Sequence, residues 1–302
     1  MTLKSFVLSH PFLYELYFFL TRKKINRKFL DKKIYNLNKS DDFRVPKKDL
    51  IVSLTSYGER LPDLKYTLFS LVNQSIKPEK IIVWLGENEK IPSELSVFNR
   101  FGVEFSFCSD IRSYTKLIPS LVQYPNKHIV TADDDIYYKR NWLKKLWNIH
   151  LRYPNDKITH IAHKVCFNNE NKILPYNHWK NNIHRLPPNN TVFPTGVGGI
   201  LYPFPRQINP IFLDSTVFMK CCPNADDIWF YFMGLLSNQR TVIVPFPYNK
   251  LKYVDIYKEY GLNNKTTLQA TNVQENMNDV QFRSVMEYFN LKDEDLFRLV
   301  NN

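Results

Sequence analysis

Apolar positions along this chain alternate between short uninterrupted runs and runs with helical spacing. Residues 50–54, LeuIleValSerLeu, predict a buried strand, and leucines at helical spacing behind Pro62 predict a helix over 62–73. The same reasoning gives further strands at 80–85, 103–107 and 128–132, and further helices at 92–100, 113–123 and 141–151.

Strands and helices that follow one another in this order predict an α/β fold. We expect a mostly parallel sheet with helices packed on both of its faces, because each strand-to-strand crossover carries a helix. Ligands of such folds bind at the carboxyl ends of the strands, so residues directly after each strand are the first candidates for chemistry.

Both ends of the chain differ from this pattern. Residues 12–20 are apolar and aromatic, and seven Lys and Arg follow between residues 22 and 33. This layout fits a segment in the interface of an anionic membrane, and equally a helix that packs on the main domain with a solvated basic end.

At the other end of the chain, helices are predicted over 274–289 and 292–300. We therefore expect an N-terminal segment over 1–48, an α/β domain over 49–250 and a C-terminal helical extension over 251–302.

Composition and charge limit the classes of binding partner that the sequence allows. The 302 residues carry a net charge of +12, of which residues 1–50 contribute +7 with 12 basic and 5 acidic side chains. The rest of the chain is too weakly basic for a nucleic-acid groove, so nucleic acid is excluded as a partner. Four cysteines without a CxxC pair indicate neither a zinc knuckle nor a disulfide framework. The N-terminus lacks signal-peptide features, and we expect a cytoplasmic protein, with peripheral binding to the inner membrane face as the alternative.

Three consecutive carboxylates, Asp133, Asp134 and Asp135, follow the strand predicted over 128–132. Adjacent carboxylates repel one another, so they require either water or a cation nearby. Oxygen ligands suit Mg²⁺ or Mn²⁺, which in turn holds a diphosphate. An acidic turn that caps the helix at 141–151 is the alternative. Their position at the carboxyl end of an apolar strand favours the metal site.

A second acidic pair, Asp226 and Asp227, precedes an apolar helical run. One carboxylate there could accept a proton from a hydroxyl nucleophile while the other caps the helix, or both could be capping residues. Between the two acidic clusters, residues 193–203 contain three of the eight glycines, Gly196, Gly198 and Gly199. Such a cluster allows backbone to approach a ligand closely, with a tight turn as the alternative.

Five segments in a fixed order carry a resemblance. They are ValSerLeuThrSerTyrGlyGluArg (52–60), LeuValAsnGlnSerIleLysProGluLysIleIleValTrp (71–84), ThrAlaAspAspAspIle (131–136), GlyValGlyGly (196–199) and AlaAspAspIleTrp (225–229). In this order the chain resembles GT-A-fold glycosyltransferases, close to the family-2-like enzymes of bacterial surface polysaccharides. The resemblance covers roughly residues 50–245 and identifies the α/β domain as the catalytic one.

The resemblance implies a nucleotide-sugar donor, UDP-sugar above all, and a divalent Mn²⁺ or Mg²⁺ ion. Asp133 and Asp135 correspond to the outer positions of the DxD motif and would bind the metal. The expected donor-binding set is Thr55, Tyr57, Arg60, Asp110, Arg112, Lys116, Asp133 and Asp134. The catalytic base of inverting enzymes corresponds to Asp227 as first choice and Asp226 as second.

We expect the acceptor to contact the glycines at 196, 198 and 199. Trp179 is a further acceptor candidate because aromatic faces stack on sugars, although packing in the core is an equal alternative. The sequence thus indicates a metal-dependent inverting glycosyltransferase that acts on a lipid-linked, lipopolysaccharide or capsule glycan acceptor. A nucleotidyl- or phosphotransferase that uses the same aspartates, or an inactive carbohydrate- or membrane-binding module, is the alternative.

Overall fold

The computed structural model describes residues 25–37, 47–183, 186–204, 208–245, 253–254 and 276–301. The apolar stretch at 12–20 and the first basic residues after it lie outside the described residues, as does most of the linker before residue 47. The membrane alternative for that stretch therefore stays a prediction.

Strands and helices alternate through the first half of the chain, and the helix predicted over 92–100 is a 3-10 helix, Ser93–Phe101. The strands are β1 (Lys47–Thr55), β2 (Lys77–Gly86), β3 (Val103–Cys108), β4 (His128–Thr131), β5 (Lys157–Thr159), β6 (Ala162–Lys164), β7 (Val192–Pro194), β8 (Ile200–Tyr202) and β9 (Thr241–Ile243). The helices are α1 (Arg27–Leu37), α2 (Leu61–Val72), α3 (Ile118–Gln123), α4 (Trp142–His150), α5 (Ser215–Cys221), α6 (Asp226–Leu236), α7 (Met277–Tyr288) and α8 (Asp293–Asn301).

Seven strands form one sheet in the order β3-β2-β1-β4-β8-β5-β9. β3, β2, β1 and β4 are mutually parallel, β8 runs antiparallel to both β4 and β5, and β5 pairs with β9 in parallel. A separate antiparallel pair, β6 and β7, stands beside this sheet. The predicted α/β class with a mostly parallel sheet is confirmed.

Alternate residues of the strands face two separate hydrophobic cores. On β1, Leu50 and Val52 point into a core closed by α1, α2 and α4, whereas Ile51 points into a core closed by α3, α5 and α6. All three side chains are almost fully buried. Because strand side chains alternate between faces, a strand that is apolar at every position must be covered on both sides. The helices therefore lie on both faces, as predicted.

The predicted helix over 113–123 is divided in two. A 3-10 helix spans Arg112–Lys116, and α3 starts at Ile118 after a break at Leu117. Pro119 occupies the first turn of α3, where its missing N–H needs no partner within the helix. Leu117 thus separates Lys116, the last residue of the 3-10 helix, from α3.

Helix α1 packs on the main domain. Leu30 and Ile34 are buried against the same core as α2, and Arg27 forms two hydrogen bonds with Asp63 of α2, both 2.9 Å long. For this part of the N-terminal segment the structure therefore has the packed helix. Within the part of the chain that is described, no helix has the length and apolar content needed to cross a membrane.

The C-terminal helices α7 and α8 are part of the second core. Phe282, Val285 and Leu296 are at most 4% exposed and pack with residues of α5 and α6. The backbone N–H of Tyr176 donates to Asp279 of α7 at 2.7 Å. This extension therefore shares its hydrophobic core with the α/β domain over the described residues.

Lys157 on β5 is buried without a carboxylate in contact among the described residues, and its Nζ donates to the carbonyl of Phe230 at 3.2 Å. Helix α6 passes so closely that a Cβ on Gly234 would lie 2.1 Å from this Nζ. Burial lowers the pKa of Lys157 to about 7. An amine in the unfolded chain titrates near 10.4, so between about pH 7 and 10 the unfolded state binds more protons and stability rises with pH.

We expect Lys157→Met to remove this dependence. As the pH rises from 7 to 10, the free energy of unfolding of the wild type should increase relative to that of the variant by up to about 1.4 kcal/mol per pH unit. Urea unfolding of both proteins at several pH values measures the difference. A difference that stays constant across this range would show that Lys157 is not buried as a neutral amine.

Candidate active site

Four segments converge at the carboxyl ends of the central strands. The 3-10 helix Gly58–Arg60 follows β1, the 3-10 helix Arg112–Lys116 follows β3, and the run 133–135 follows β4. The start of α6 lies next to them, as the contact between Lys116 and Asp226 shows. Parallel strands end at one edge of a sheet, so loops that are distant in sequence meet there.

Arg60 holds two carboxylates of the aspartate run. Its Nη2 lies 2.8 Å from Oδ1 of Asp134 and also contacts Oδ2 of Asp135. Asp134 is buried, whereas the Asp135 side chain is 36% exposed. Burial raises the pKa of Asp134 to about 7, against the opposing effect of the Arg60 charge. The guanidinium thus offsets part of the repulsion that three adjacent carboxylates create.

The backbone of the aspartate run is fixed by three hydrogen bonds. The N–H of Asp133 donates to the hydroxyl of Tyr138 at 2.8 Å, and Thr67 Oγ1 donates to the carbonyl of Asp134 at 2.6 Å. The N–H of Val254 donates to the carbonyl of Asp135 at 2.7 Å. Sequence reasoning missed these supports. Only Tyr138 offered a signal, since it stands in the IleTyrTyr run directly after the aspartates.

The run is not the cap of the next helix. The N-cap residue of α4 is Asn141, six residues after Asp135, and no side chain caps it. The capping alternative for the three aspartates is therefore excluded by the structure. A different reason is needed for three carboxylates at the end of a buried strand.

Lys116 joins the two acidic clusters. Its Nζ lies 3.3 Å from Oδ1 of Asp133 and 3.1 Å from Oδ2 of Asp226, and the residue is 8% exposed. Burial alone would lower the pKa of this amine, but the charges of Asp133, Asp226 and Asp227 outweigh it and raise the pKa well above its usual value. A permanently charged ammonium therefore stands between the aspartate run and the start of α6.

Asp226 and Asp227 open α6, and Ala225 is the N-cap residue. Both carboxylates lie in the first helical turn, where the helix dipole favours negative charge. Asp227 turns away from its own helix and accepts the backbone N–H of Gly196, at 3.0 Å to Oδ1 and 3.1 Å to Oδ2. Burial, together with the neighbouring charge of Asp226, raises the pKa of Asp227 to about 7. A carboxylate with this pKa can exchange a proton near neutral pH.

The three clustered glycines each make room for a protein group. A Cβ on Gly196 would lie 2.8 Å from Nζ of Lys116 and 3.0 Å from Oδ1 of Asp227. A Cβ on Gly198 would clash with Ile161, and one on Gly199, whose φ is +84°, would lie 2.4 Å from the Trp142 ring. Close packing thus accounts for all three glycines, and their contact with an acceptor stays a prediction.

The other residues predicted to bind the donor lie on the rim of the site. Thr55 Oγ1 donates to the carbonyl of Trp84 at 3.0 Å, and Tyr57 is 61% exposed with its ring centroid 5.7 Å from Arg60. Asp110 accepts the backbone N–H of Arg112 at 2.7 Å. The Arg112 guanidinium reaches across to Oδ1 of Asn224 at 2.6 Å, two residues before Asp226. Tyr57 is the member of this group that exposes a ring to solvent beside Arg60.

Trp179 lies in an aromatic cluster. It is 4% exposed, with its ring centroid 4.9 Å from that of Tyr176 and 5.5 Å from that of Phe282. Its Nε1 donates to the carbonyl of Leu174 at 2.8 Å. This environment matches the packing alternative for Trp179, and its stacking on a sugar stays a prediction.

The donor set fits a divalent cation that also has non-protein ligands. Asp133 and Asp135 supply oxygen ligands with partly exposed side chains, the type that Mg²⁺ and Mn²⁺ prefer. Among the described residues no group of three His, Cys, Asp or Glu side chains is placed to hold a metal alone. Mg²⁺ is commonly held by one or two carboxylates together with substrate phosphates and water. The residues present fit that arrangement.

Comparisons of this chain with known proteins find only low sequence identity and low structural similarity. No family model and no curated protein matches the sequence. One similar solved structure is the CMP:2-keto-3-deoxy-manno-octonic acid synthetase complexed with CTP, at 12% identity over 66% of this chain and 90% of that chain, with a TM-score of 0.39. Another is the mannosyltransferase PcManGT from Pyrobaculum calidifontis in complex with GDP-Man and Mn²⁺, at 10% identity over 71% of this chain and 61% of that chain, with a TM-score of 0.41.

A third similar structure is S. aureus TarS 1–349, at 12% identity over 68% of this chain and 59% of that chain, with a TM-score of 0.42. The match thus spans less than two thirds of both PcManGT and TarS. Similarity at this level gives no information on the activity of this chain, which must be argued from the site.

Proposed function

We propose that this protein is a metal-dependent, inverting glycosyltransferase. It moves a sugar from a nucleotide-sugar donor to a hydroxyl of a glycan or lipid-linked acceptor, and a UDP-sugar is the first candidate for the donor. One observation carries the proposal. Lys116 holds an aspartate run suited to a metal and a diphosphate against a carboxylate pair suited to proton transfer. A sugar transfer with a diphosphate leaving group needs both functions within one site.

In the proposed reaction Asp227 is the general base. The acceptor hydroxyl gives its proton to the Asp227 carboxylate as its oxygen forms a bond to the anomeric carbon of the donor sugar. The bond from that carbon to the diphosphate oxygen breaks, and the nucleoside diphosphate leaves with the electron pair. A single displacement of this kind inverts the anomeric configuration. The N–H of Gly196 orients Asp227, and Asp226 is held by the ammonium of Lys116.

Positive charge near the leaving group lowers the cost of this bond cleavage. Arg60 and Lys116 supply two cationic side chains at the aspartate run. A divalent cation held by Asp133 and Asp135 would stabilise the negative charge that develops on the diphosphate. Asp134 is buried against Arg60 and contributes to the position of that guanidinium.

The metal assignment is tested by the affinity of Asp135→Asn for UDP. Loss of one anionic oxygen ligand should lower UDP affinity in the presence of Mn²⁺ by at least about tenfold, because even the loss of a residue that only hydrogen-bonds to a metal ligand costs about 10- to 100-fold in metal affinity. Without Mn²⁺, wild type and variant should bind UDP equally weakly in isothermal titration calorimetry. Glu104→Gln, on β3 and paired with Lys80 at 2.9 Å, is a control that should leave both affinities unchanged. Equal Mn²⁺-dependent binding by Asp135→Asn and wild type would remove the metal from the proposal.

A further inference from the structure

The turn at 222–225 leads directly into α6, and a buried tyrosine, Tyr114, is bonded to this turn. The Tyr114 side chain is fully buried, and its hydroxyl donates to the carbonyl of Cys222 at 2.5 Å. Cys222 is the C-cap residue of α5, and carbonyls at a helix end lack partners within their own helix. The Tyr114 ring stacks on Phe218 of α5, with centroids 4.0 Å apart. The phenol therefore supplies a partner to a helix-end carbonyl inside the second core.

The thiol of Cys222 continues this support to the start of α6. Its Sγ donates to the carbonyl of Ala225 at 3.0 Å, and Ala225 is the N-cap residue of α6. Asp226 and Asp227 are the next two residues of the chain. One residue, Cys222, thus connects the hydroxyl of Tyr114 to the residue from which the carboxylate pair starts.

Tyr114 also belongs to the segment that carries Lys116. Both residues lie in the 3-10 helix Arg112–Lys116, and the carbonyl of Lys116 accepts a hydrogen bond from Ser53 Oγ of β1 at 2.7 Å. The Ser53 bond fixes the 3-10 helix to the sheet, and the Tyr114 bond fixes the turn before α6 to the 3-10 helix. Buried hydrogen bonds therefore hold both partners of the ion pair between Lys116 and Asp226, whose Nζ and Oδ2 are 3.1 Å apart.

Two further hydrogen bonds reach the same turn. Nη1 of Arg112 donates to Oδ1 of Asn224 at 2.6 Å, and Gln281 of α7 accepts the N–H of Asn224 at 2.8 Å. The Arg112 bond is exposed to solvent, so water can replace either of its partners at little cost. Water cannot replace the phenol in the same way, because Cys222 is fully buried. We therefore expect the Tyr114 bond to matter more for the position of the turn than the Arg112 bond.

We propose that Tyr114 is a positioning residue for the reaction. Its hydroxyl holds the turn at 222–225 and thereby keeps the carboxylate of Asp227 beside Gly196. The inference rests on the proposed function, because it takes Asp227 as the base. A phenylalanine would fill nearly the same space in the core, so packing alone does not account for the hydroxyl. A catalytic group must be held to within about 0.5 Å of its working geometry, so loss of one fixed point should lower the rate.

Tyr114→Phe removes the hydroxyl and keeps the ring that stacks on Phe218. Tyr231→Phe is the matched control, because Tyr231 of α6 is also buried and its hydroxyl donates to a backbone carbonyl as well, that of Asn190, at 2.7 Å. Each variant loses the one hydrogen bond of a buried phenol, so both should lower the midpoint of urea unfolding by similar amounts. A difference between the two variants in another measurement therefore does not come from global stability.

Hydrogen exchange of the Gly196 amide reports the position of Asp227 in the absence of any substrate. This N–H donates to Oδ1 of Asp227 at 3.0 Å, so its protection depends on the carboxylate being in place. We expect the Gly196 amide to exchange about fivefold faster in Tyr114→Phe than in the wild type, since one hydrogen bond contributes about that factor. Tyr231→Phe should exchange it much more nearly at the wild-type rate. NMR on the full chain measures these rates, and equal rates in both variants would overturn the inference.

Steady-state kinetics measures the consequence for catalysis. With a nucleotide sugar that the wild type uses, Tyr114→Phe should lower kcat at least about tenfold, because even a displacement of about 1 Å at a catalytic group is costly. The affinity for UDP with Mn²⁺ should stay within about twofold, since the aspartate run has its own supports in Thr67 and Tyr138. Tyr231→Phe should keep the wild-type kcat. Faster Gly196 exchange without a loss of kcat, or an equal loss of kcat in both variants, would also overturn the inference.

The two measurements together separate the positioning role from the proposed function. If the wild type releases nucleoside diphosphate from no nucleotide sugar while Tyr114→Phe alone speeds Gly196 exchange, the proposed function is contradicted and Tyr114 still positions the carboxylate pair. An active wild type, with Gly196 exchange and kcat both unchanged in Tyr114→Phe, contradicts the positioning role alone.

Discussion

Asp227→Asn is expected to lower the turnover of sugar transfer by about 10² to 10⁴, the usual contribution of a general base, while the affinity for the donor stays unchanged. The amide is close in shape to the carboxylate, but it cannot take the proton of the acceptor hydroxyl. Steady-state kinetics with a fixed acceptor, together with calorimetry for UDP and Mn²⁺, separates the two effects.

The pH profile gives this prediction a second measurement. A base acts only when deprotonated, and Asp227 has its pKa raised to about 7. Turnover in the wild type should therefore fall as the pH drops below about 7, and this limb should vanish in the residual activity of Asp227→Asn. If Asp226→Asn alone removes the limb, the roles of the two residues are reversed.

The matched control is Asp214→Asn. Asp214 is an exposed carboxylate that caps α5 through the N–H of Thr216 at 2.9 Å, and Asn is an equally good N-cap residue. This variant should keep full activity and the same pH profile. Full activity in Asp227→Asn as well would show that the base is a different residue.

Gly196→Ala is expected to lower turnover by about 10² without unfolding the protein. The new methyl group would overlap Nζ of Lys116 and touch Oδ1 of Asp227, at 2.8 and 3.0 Å. Both are ends of side chains that can move, so the fold survives, but the ammonium and the base lose their positions. A displacement of about 1 Å at a catalytic group costs about 10²-fold in rate.

Gly86→Ala, at the end of β2, serves as the control for this substitution. A Cβ there would be 3.8 Å from Cγ of Glu89, an ordinary contact. Its activity and its melting temperature should stay close to the wild-type values. If Gly196→Ala also keeps wild-type turnover while folding normally, the placement of Lys116 and Asp227 around this glycine does not matter to catalysis.

The first half of the fold was predictable because its signals are local. Strands such as β1 and β2 are long apolar runs, and α2 is marked by a proline in its first turn and leucines at helical spacing. Strands β5, β8 and β9 have three residues each, too few for a periodic pattern. The antiparallel direction of β8 could not be predicted, because it depends on pairing with strands far away in the sequence. The register pairs Thr131–Ile200 with β4 and Ile158–Leu201 with β5 join residues 69 and 43 positions apart.

The sequence predicted which residues belong to the site better than it predicted which of them contact one another. The sequence singled out Lys116, Gly196 and the acidic clusters, since charged residues and glycines stand out after apolar strands. It assigned Lys116 and Gly196 to ligands, whereas the structure has them in contact with Asp226 and Asp227. The Lys116–Asp226 contact joins residues 110 positions apart and the Gly196–Asp227 contact residues 31 apart, and only the completed fold brings them together. The segment at 253–254, which donates to Asp135, gave no signal at all.

The most direct test of the proposed function is release of UDP or GDP from a panel of UDP- and GDP-sugars by the full chain, with Mn²⁺ or with EDTA. Hydrolysis by water reports on donor use even before the acceptor is identified. We predict nucleoside diphosphate release from at least one donor, dependent on the divalent cation and reduced at least about 10²-fold in Asp227→Asn. No release from any nucleotide sugar, with pyrophosphate released instead from nucleoside triphosphates, would contradict the glycosyltransferase and identify a nucleotidyltransferase.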